Sequence, residues 1–130
     1  MGRRVARVVT VFAAAIATVA IYAVAPNLLH DRFVFGTFAT TGVPPRVDYY
    51  GRRYYPGTQT FTRAQINAFL TQIGAGGLTL IDTAPSGMPV VANVMTPGAQ
   101  SQYRTNICTM EVWVQKGADA YTVYELSGGP

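Results

Sequence analysis

At 130 residues the chain has room for one folded domain, yet 49% apolar against 12% charged residues departs from the roughly 25% charged fraction of a soluble globule. Eight Tyr and six Phe exclude the low-hydrophobicity composition of a disordered chain, while one Cys and one His exclude an intramolecular disulfide framework, a four-Cys zinc site and most triad arrangements. The net charge of +4 is no nucleic-acid field: Arg3, Arg4 and Arg7 precede the first apolar run, and from Asp31 onward six Arg and one Lys face four Asp and two Glu, a body of about +1.

Residues 8–25 read VVTVFAAAIATVAIYAVA, eighteen residues without a charge. As a helix they would span about 27 Å, close to the roughly 30 Å of bilayer hydrocarbon. Three Arg before the run, with no comparable cluster after it, set an orientation with the N-terminus cytoplasmic and everything after Pro26 outside. A cleaved signal is the rival, since Ala23-Val24-Ala25 fits the small-x-small cleavage pattern. Against it, the run exceeds the usual 7–15 residues of a signal's apolar region, and Pro26 would adjoin the scissile bond. A buried core helix is disfavoured because the Ala, Val and Ile cover every side. Residues 1–27 are therefore expected to form the Arg cluster and a signal-anchor, and the protein is secreted if the signal is cleaved.

Residues 28–45 lose apolar periodicity and read as a juxtamembrane linker, with Phe33 and Phe35 at the bilayer interface or opening an edge strand. The domain proper is expected at 46–130. RVDYYGRRYYP, residues 46–56, suits a hairpin turning at Gly51. Thr62 is an N-cap, Gln65 completes a capping box, and Phe61 with Ile66 form a hydrophobic staple. A helix starts at Arg63, its apolar residues Ile66, Phe69, Leu70 and Ile73 make one stripe, and Gly74, Gly76 and Gly77 stop it. Residues 78–83 and 89–95 read as an antiparallel pair around an Ala84–Gly87 turn.

The last hairpin joins residues 108–115 to 120–126 through Lys116-Gly117-Ala118-Asp119, a type II′ turn with Gly at its first central position. That turn sets Lys116 opposite Asp119. It pairs Val114 with Tyr121, Val112 with Val123 and Met110 with Glu125 on one face, and Trp113 with Thr122 and Glu111 with Tyr124 on the other. The Val-rich face is expected to meet the helix. Residues 96–106 read as a loop and 127–130 as a tail.

Candidate chemistry concentrates at Tyr49, Tyr50, Tyr54 and Tyr55 with Arg46, Arg52 and Arg53. Tyr and Arg together offer stacking, hydrogen-bond donors and cation–π contacts for a glycan, peptide or anionic polymer. The bland alternative packs alternate Tyr on the core and lays Arg stems over the rest. His30 falls in the linker, Cys108 reads as a small core residue, and Ser86 belongs to a turn without a nucleophile elbow. Glycoside hydrolysis needs two carboxylates about 5 to 9.5 Å apart, and the expected register puts Glu111 and Glu125 on opposite faces. Gly74, Gly76 and Gly77 follow a helix rather than open one, so they form no phosphate cradle. Neither a cofactor nor a metal site is implied.

GVPPRVDYYGRRYYPG and ADAYTVYELSGGP, behind a short Arg-rich anchor, resemble segments of small exported, membrane-anchored actinobacterial proteins with no assigned activity. Nine Arg to one Lys agrees in composition with a GC-rich coding sequence. The resemblance implies location and fold and no catalytic residue. It also implies a Cys near Tyr49-Tyr50 that would bridge to the one matching Cys108, where this chain carries tyrosines.

The expected architecture is α+β: one N-terminal transmembrane helix followed by a small domain with one amphipathic helix on an antiparallel sheet of about four strands, beside the Tyr-rich hairpin. The leading functional reading is a noncatalytic envelope module. Its binding residues would be Tyr49, Tyr50, Arg52, Arg53, Tyr54 and Tyr55. It would be anchored to the membrane through residues 8–25 and bind an envelope protein or cell-wall polymer and no nucleic acid. One alternative is a small envelope hydrolase, which requires a pocket gathering two or more of Asp48, Asp82, Glu111 and Asp119. Another is an accessory subunit whose Ala13, Ala14, Ala17 and Thr18 allow close helix contact in a membrane complex.

Overall fold

The computed structural model describes residues 2–94, 98, 101 and 111–127. Met95, Cys108, Met110, all of the expected 96–106 loop but residues 98 and 101, and residues 128–130 of the expected 127–130 tail lie outside the described residues. The chain forms two units, residues 1–30 and residues 31–130.

Helix α1 runs Gly2–Phe35, and its stretch Val5–Phe35 is long and apolar enough to cross a membrane. The Thr10 and Thr18 hydroxyls donate to the Ala6 and Ala14 carbonyls at 2.8 Å, so the run's threonines satisfy themselves within the helix. Pro26 lies inside α1 and leaves the Tyr22 carbonyl without its usual intrahelical donor, but it does not end the helix.

Helical structure thus replaces the first part of the expected 28–45 linker, and the larger unit opens at Asp31 rather than near Arg46. The cause is tertiary. Val34 and Phe35 pack into the domain core, Phe35 fully buried, while Phe33 stays exposed. Gly36 sits at φ 72° and donates to the Arg32 carbonyl at 3.1 Å, the left-handed single-bond helix stop. Arg46 Nη2 donates to the Phe33 carbonyl at 3.0 Å, and Arg32 Nη1 reaches the Gly36 carbonyl at 2.5 Å.

Six strands follow: β1 Val47–Tyr49, β2 Arg52–Phe61, β3 Leu78–Thr83, β4 Pro89–Asn93, β5 Glu111–Gly117 and β6 Ala120–Leu126. They form one antiparallel sheet in the order β1-β2-β6-β5-β4-β3, so the Tyr-rich hairpin is part of the same sheet, which has six strands among the described residues rather than about four. Tyr50 and Gly51, at φ 50° and 71°, close β1 on β2, both central residues left-handed as a two-residue hairpin turn favours. Pro56 is tolerated because β2 there extends past its β1 partners and pairs on the β6 side alone.

Helix α2, Arg63–Gln72, carries the predicted start: the Thr62 hydroxyl accepts from Gln65 N at 3.2 Å, and Gln65 Oε1 accepts from Thr62 N at 2.8 Å. Its end is a Schellman motif, with Ala75 N donating to the Leu70 carbonyl and Gly74 N to the Thr71 carbonyl. Ile66 and Leu70 pack with Val91, Trp113, Tyr121 and Val123 on one sheet face. The stripe is narrower than its periodicity predicts, since Phe69 and Ile73 are exposed. The other face carries Val47, Tyr54, Val90, Ala92, Val112, Val114 and Tyr124, covered by Phe35. The Val-rich face of β5 therefore lies opposite the helix, reversing the expectation. Tyr124 anchors the segment crossing that face, its hydroxyl donating to the Pro44 carbonyl at 2.5 Å. Burial away from solvent pushes this phenol's pKa well above its usual range.

Candidate functional site

The decisive local fact is the pairing of β5 with β6. Trp113 lies opposite Val123, Val112 opposite Tyr124 and Glu111 opposite Glu125. Relative to the register drawn from the turn sequence, each of these three pairs is shifted by one residue. A one-residue slip transfers a strand's whole set of side chains to the other face. The shift arises at the turn: Gly117 pairs with Ala120, Ala118 and Asp119 form the loop without positive φ, and an irregularity lies between Gln115 and Gly117. Neither charged residue makes the expected cross-turn pair. Lys116 Nζ donates to the Thr60 hydroxyl at 2.6 Å, and Asp119 Oδ1 accepts from Arg63 N at 2.7 Å, capping α2 from outside its own segment.

With this register Glu111 and Glu125 share the α2 face instead of standing on opposite faces. Together with Trp113 and Val123 beneath, Ile66 and Phe69 on α2, and Gln59 and Phe61 on β2, they line a cleft of about 250 Å³. The cleft's outer wall depends on β2, whose register shifts between Pro56 and Thr60. Gly57 makes that approach: a Cβ there would stand 3.0 Å from Val123 Cγ1 and 3.8 Å from Glu125 Oε1. Burial raises the Glu111 pKa above the usual carboxylate value, and the neighbouring Glu125 charge raises it further. Glu111 is the more enclosed of the two, Glu125 being exposed. Beyond Glu125 on the same face stands Tyr55, its partner on β2.

The six residues expected to bind do not form one surface. Tyr54 is fully buried in the core and Tyr49 packs against it. Tyr50 stands exposed at the hairpin tip, its ring edge-on to Tyr49 at 4.7 Å. Arg52 is half-buried, whereas Arg53 and Tyr55 are exposed. Arg53 Nε lies 3.3 Å from Asp48 Oδ1, and Arg46 Nε reaches the same oxygen at 3.5 Å. The Tyr55 hydroxyl and the Asp48 carboxylate hold the Arg53 guanidinium above its ordinary pKa. Asp48, Gly51, Arg53, Tyr55 and Ser127 frame a shallow polar depression.

The four carboxylates that a hydrolase pocket was to draw on are dispersed. Asp48 pairs with Arg46 and Arg53, Asp119 caps α2, and Asp82 accepts from Thr83 N, leaving Glu111 alone of the four in the cleft. Glu125, which the expected register put on the opposite face, takes the second place. His30 is exposed in the 1–30 unit, and Ser86 sits in the β3–β4 turn. Among the described residues no three His, Cys, Asp or Glu side chains converge to hold a metal ion. In comparisons with known proteins, no family model, curated protein or solved structure matches this chain.

Proposed function

We propose that this chain is a single-pass membrane protein whose 31–130 unit faces outward and serves the cell envelope as a binding module, held in place by α1. The observation that carries the reading is the exposure of α1. The apolar window that qualifies it as a span has no residue buried by protein, and an apolar surface this continuous is stable only against lipid or a partner helix. The Arg cluster ahead of it supports a cytoplasmic N-terminus, and the likeness to exported actinobacterial proteins supports the envelope. The concave Glu111/Glu125 cleft, more than the divided Tyr/Arg set, is the surface offered to a partner.

One observation favours a second reading, an envelope hydrolase. Two carboxylates directly opposite each other, one with a raised pKa, are the arrangement from which a general acid and its ionised neighbour are built.

The test follows the full-length protein with a C-terminal epitope in its own cells. It is expected in the membrane fraction after alkaline carbonate, with its epitope digested when protease is added to intact spheroplasts. Recovery in the cytosol, or an epitope protected until the membrane is opened, overturns the assignment. Turnover of a glycan substrate that is lost in E125Q would replace the binding reading with the hydrolytic one.

A further inference from the structure

We infer that the loop between α1 and β1, residues 37–45, is a membrane-docking element that seats Phe38 and Val43 in the headgroup layer of the bilayer α1 crosses, an inference that rests on the single-pass reading above. Residues 33–45 carry no charge. Within them the apolar side chains divide in two: Phe35 and Pro44 are buried, whereas Phe33, Phe38 and Val43 expose 69%, 54% and 42% of their surface.

The division follows from how the loop is pinned. Arg46 Nη2 donates to the Phe33 carbonyl at 3.0 Å, and the buried Tyr124 hydroxyl holds the Pro44 carbonyl, so both ends of the loop are fixed. Between them Thr37 Oγ1 accepts from Ala39 N at 3.0 Å, Gly42 turns the chain at φ 76°, and every residue from Phe38 to Val43 is exposed. Ends held together and a bare tip make an Ω-type loop, shaped before it meets anything.

Two arguments name lipid as the occupant. The first is reach. The apolar part of α1 closes at Leu28-Leu29, and Gly36 follows about 10 Å further along the helix, a gap that a loop arm of four residues, reaching about 13 Å, can span. The second is strength. Three apolar side chains are far too few for the roughly 800 Å² that each partner contributes to a stable protein interface. They suffice against a bilayer, because α1 already tethers the loop to it and makes insertion an intramolecular step. Irregular backbone is excluded from hydrocarbon, so the loop's peptide groups and the Thr37, Thr40 and Thr41 hydroxyls stay in the hydrated headgroup layer while Phe38 and Val43 reach the acyl boundary.

The experiment places full-length protein in phosphatidylcholine nanodiscs, one copy in each, with Cys108→Ser removing the chain's single thiol. A nitroxide is attached through Phe38→Cys, Thr40→Cys or Val43→Cys, with Ile16→Cys in the span and Tyr50→Cys at the hairpin tip as references. Collisions with oxygen, which concentrates in lipid, are compared with those of a water-soluble nickel chelate. The ratio at positions 38 and 43 is expected to exceed that at position 50 by about threefold and to stay below that at position 16. With the label at position 40 and both apolar residues kept, adding Phe38→Asp and Val43→Asp is expected to restore nickel access. Ratios at 38 and 43 equal to that at 50, or a position-40 label indifferent to the two Asp substitutions, overturn the inference. Protection found in native membranes and absent from the nanodiscs also overturns it, assigning the loop to a protein partner. Position 16 separates the two levels of failure: deep at 16 and aqueous at 38 and 43 removes the docking loop and leaves the anchor, whereas aqueous at 16 removes both.

Discussion

Replacing Glu111 by Gln tests the cleft and the strand register together. Opposed side chains about 5 Å apart in a medium near the dielectric of water repel by roughly 0.8 kcal/mol. Both carboxylates reach solvent and can swing apart, so the expected net relief is about 0.5 kcal/mol. For a domain of this size that corresponds to a rise in Tm of roughly 2–4 °C at pH 7. The pH dependence carries a definite sign. The folded-state pKa of Glu111 lies above its ordinary value of 4.5, so the stability associated with the protonated carboxyl is fully present below that value. It is lost as pH rises through the raised folded-state value. The advantage of E111Q over the parent should therefore vanish below about pH 4 and grow toward neutrality. Thermal unfolding of full-length protein in micelles, followed by Trp113 fluorescence between pH 3.5 and 7.5, measures it. In the double variant E111Q/E125Q the two gains should fall short of additive by roughly the pair repulsion. Gains that simply add would refute the pairing of Glu111 with Glu125.

Other substitutions probe the supports of the fold, each read by the same unfolding assay. Tyr124→Phe removes the bond to the Pro44 carbonyl beneath the sheet and should cost about 1–2 kcal/mol, lowering Tm by at least 4 °C. Gly36→Ala and Gly42→Ala force alanine into φ of 72° and 76°, costing about 1–2 kcal/mol each. Gly36→Ala should cost measurably more, because its Cβ would meet the Arg46 side chain at 3.2 Å whereas the space around Gly42 is open; equal losses would argue against the Arg46 clamp on the end of α1. Thr62→Ala should lose about 1 kcal/mol through the capping box, and Asp119→Ala a comparable amount because its carboxylate receives the first N–H of α2 from a distant turn. An Asp119→Ala variant as stable as its parent would show that this long-range cap contributes nothing.

The features legible in the chain were those whose causes are close in sequence. Thr62 and Gln65 satisfy each other's backbone groups within one turn, so the start of α2 needed no tertiary information. Gly51, with Tyr50, permits the left-handed turn of the first hairpin, and eighteen uncharged residues suffice to define an apolar helix. Where α1 ends was less accessible, although Gly36 and Arg32 signal a helix stop; the apolar run had already closed at Ala25, and what holds the last turn is Phe35 in a core built from strands far along the chain.

The cleft was hidden for a sharper reason. Lys116-Gly117-Ala118-Asp119 supports more than one two-residue turn; moving the turn to Ala118-Asp119 changes the pairing by two residues, and the irregularity between Gln115 and Gly117 takes one back, leaving a net shift of one in strand register. Local propensity barely separates them. Long-range partners decide: Asp119 is drawn to the N-terminus of α2 and Lys116 to Thr60 on β2, and with those contacts Trp113 turns toward the helix and Glu111 toward Glu125. The amino-acid sequence by itself determined the α+β class, the apolar helix and the position of α2, because each follows from composition or from contacts a few residues apart. Which face of β5 meets the helix, which carboxylates meet each other, and which tyrosines are buried were decided by tertiary structure alone, since in a strand of period two those outcomes hang on a shift that only distant residues can select.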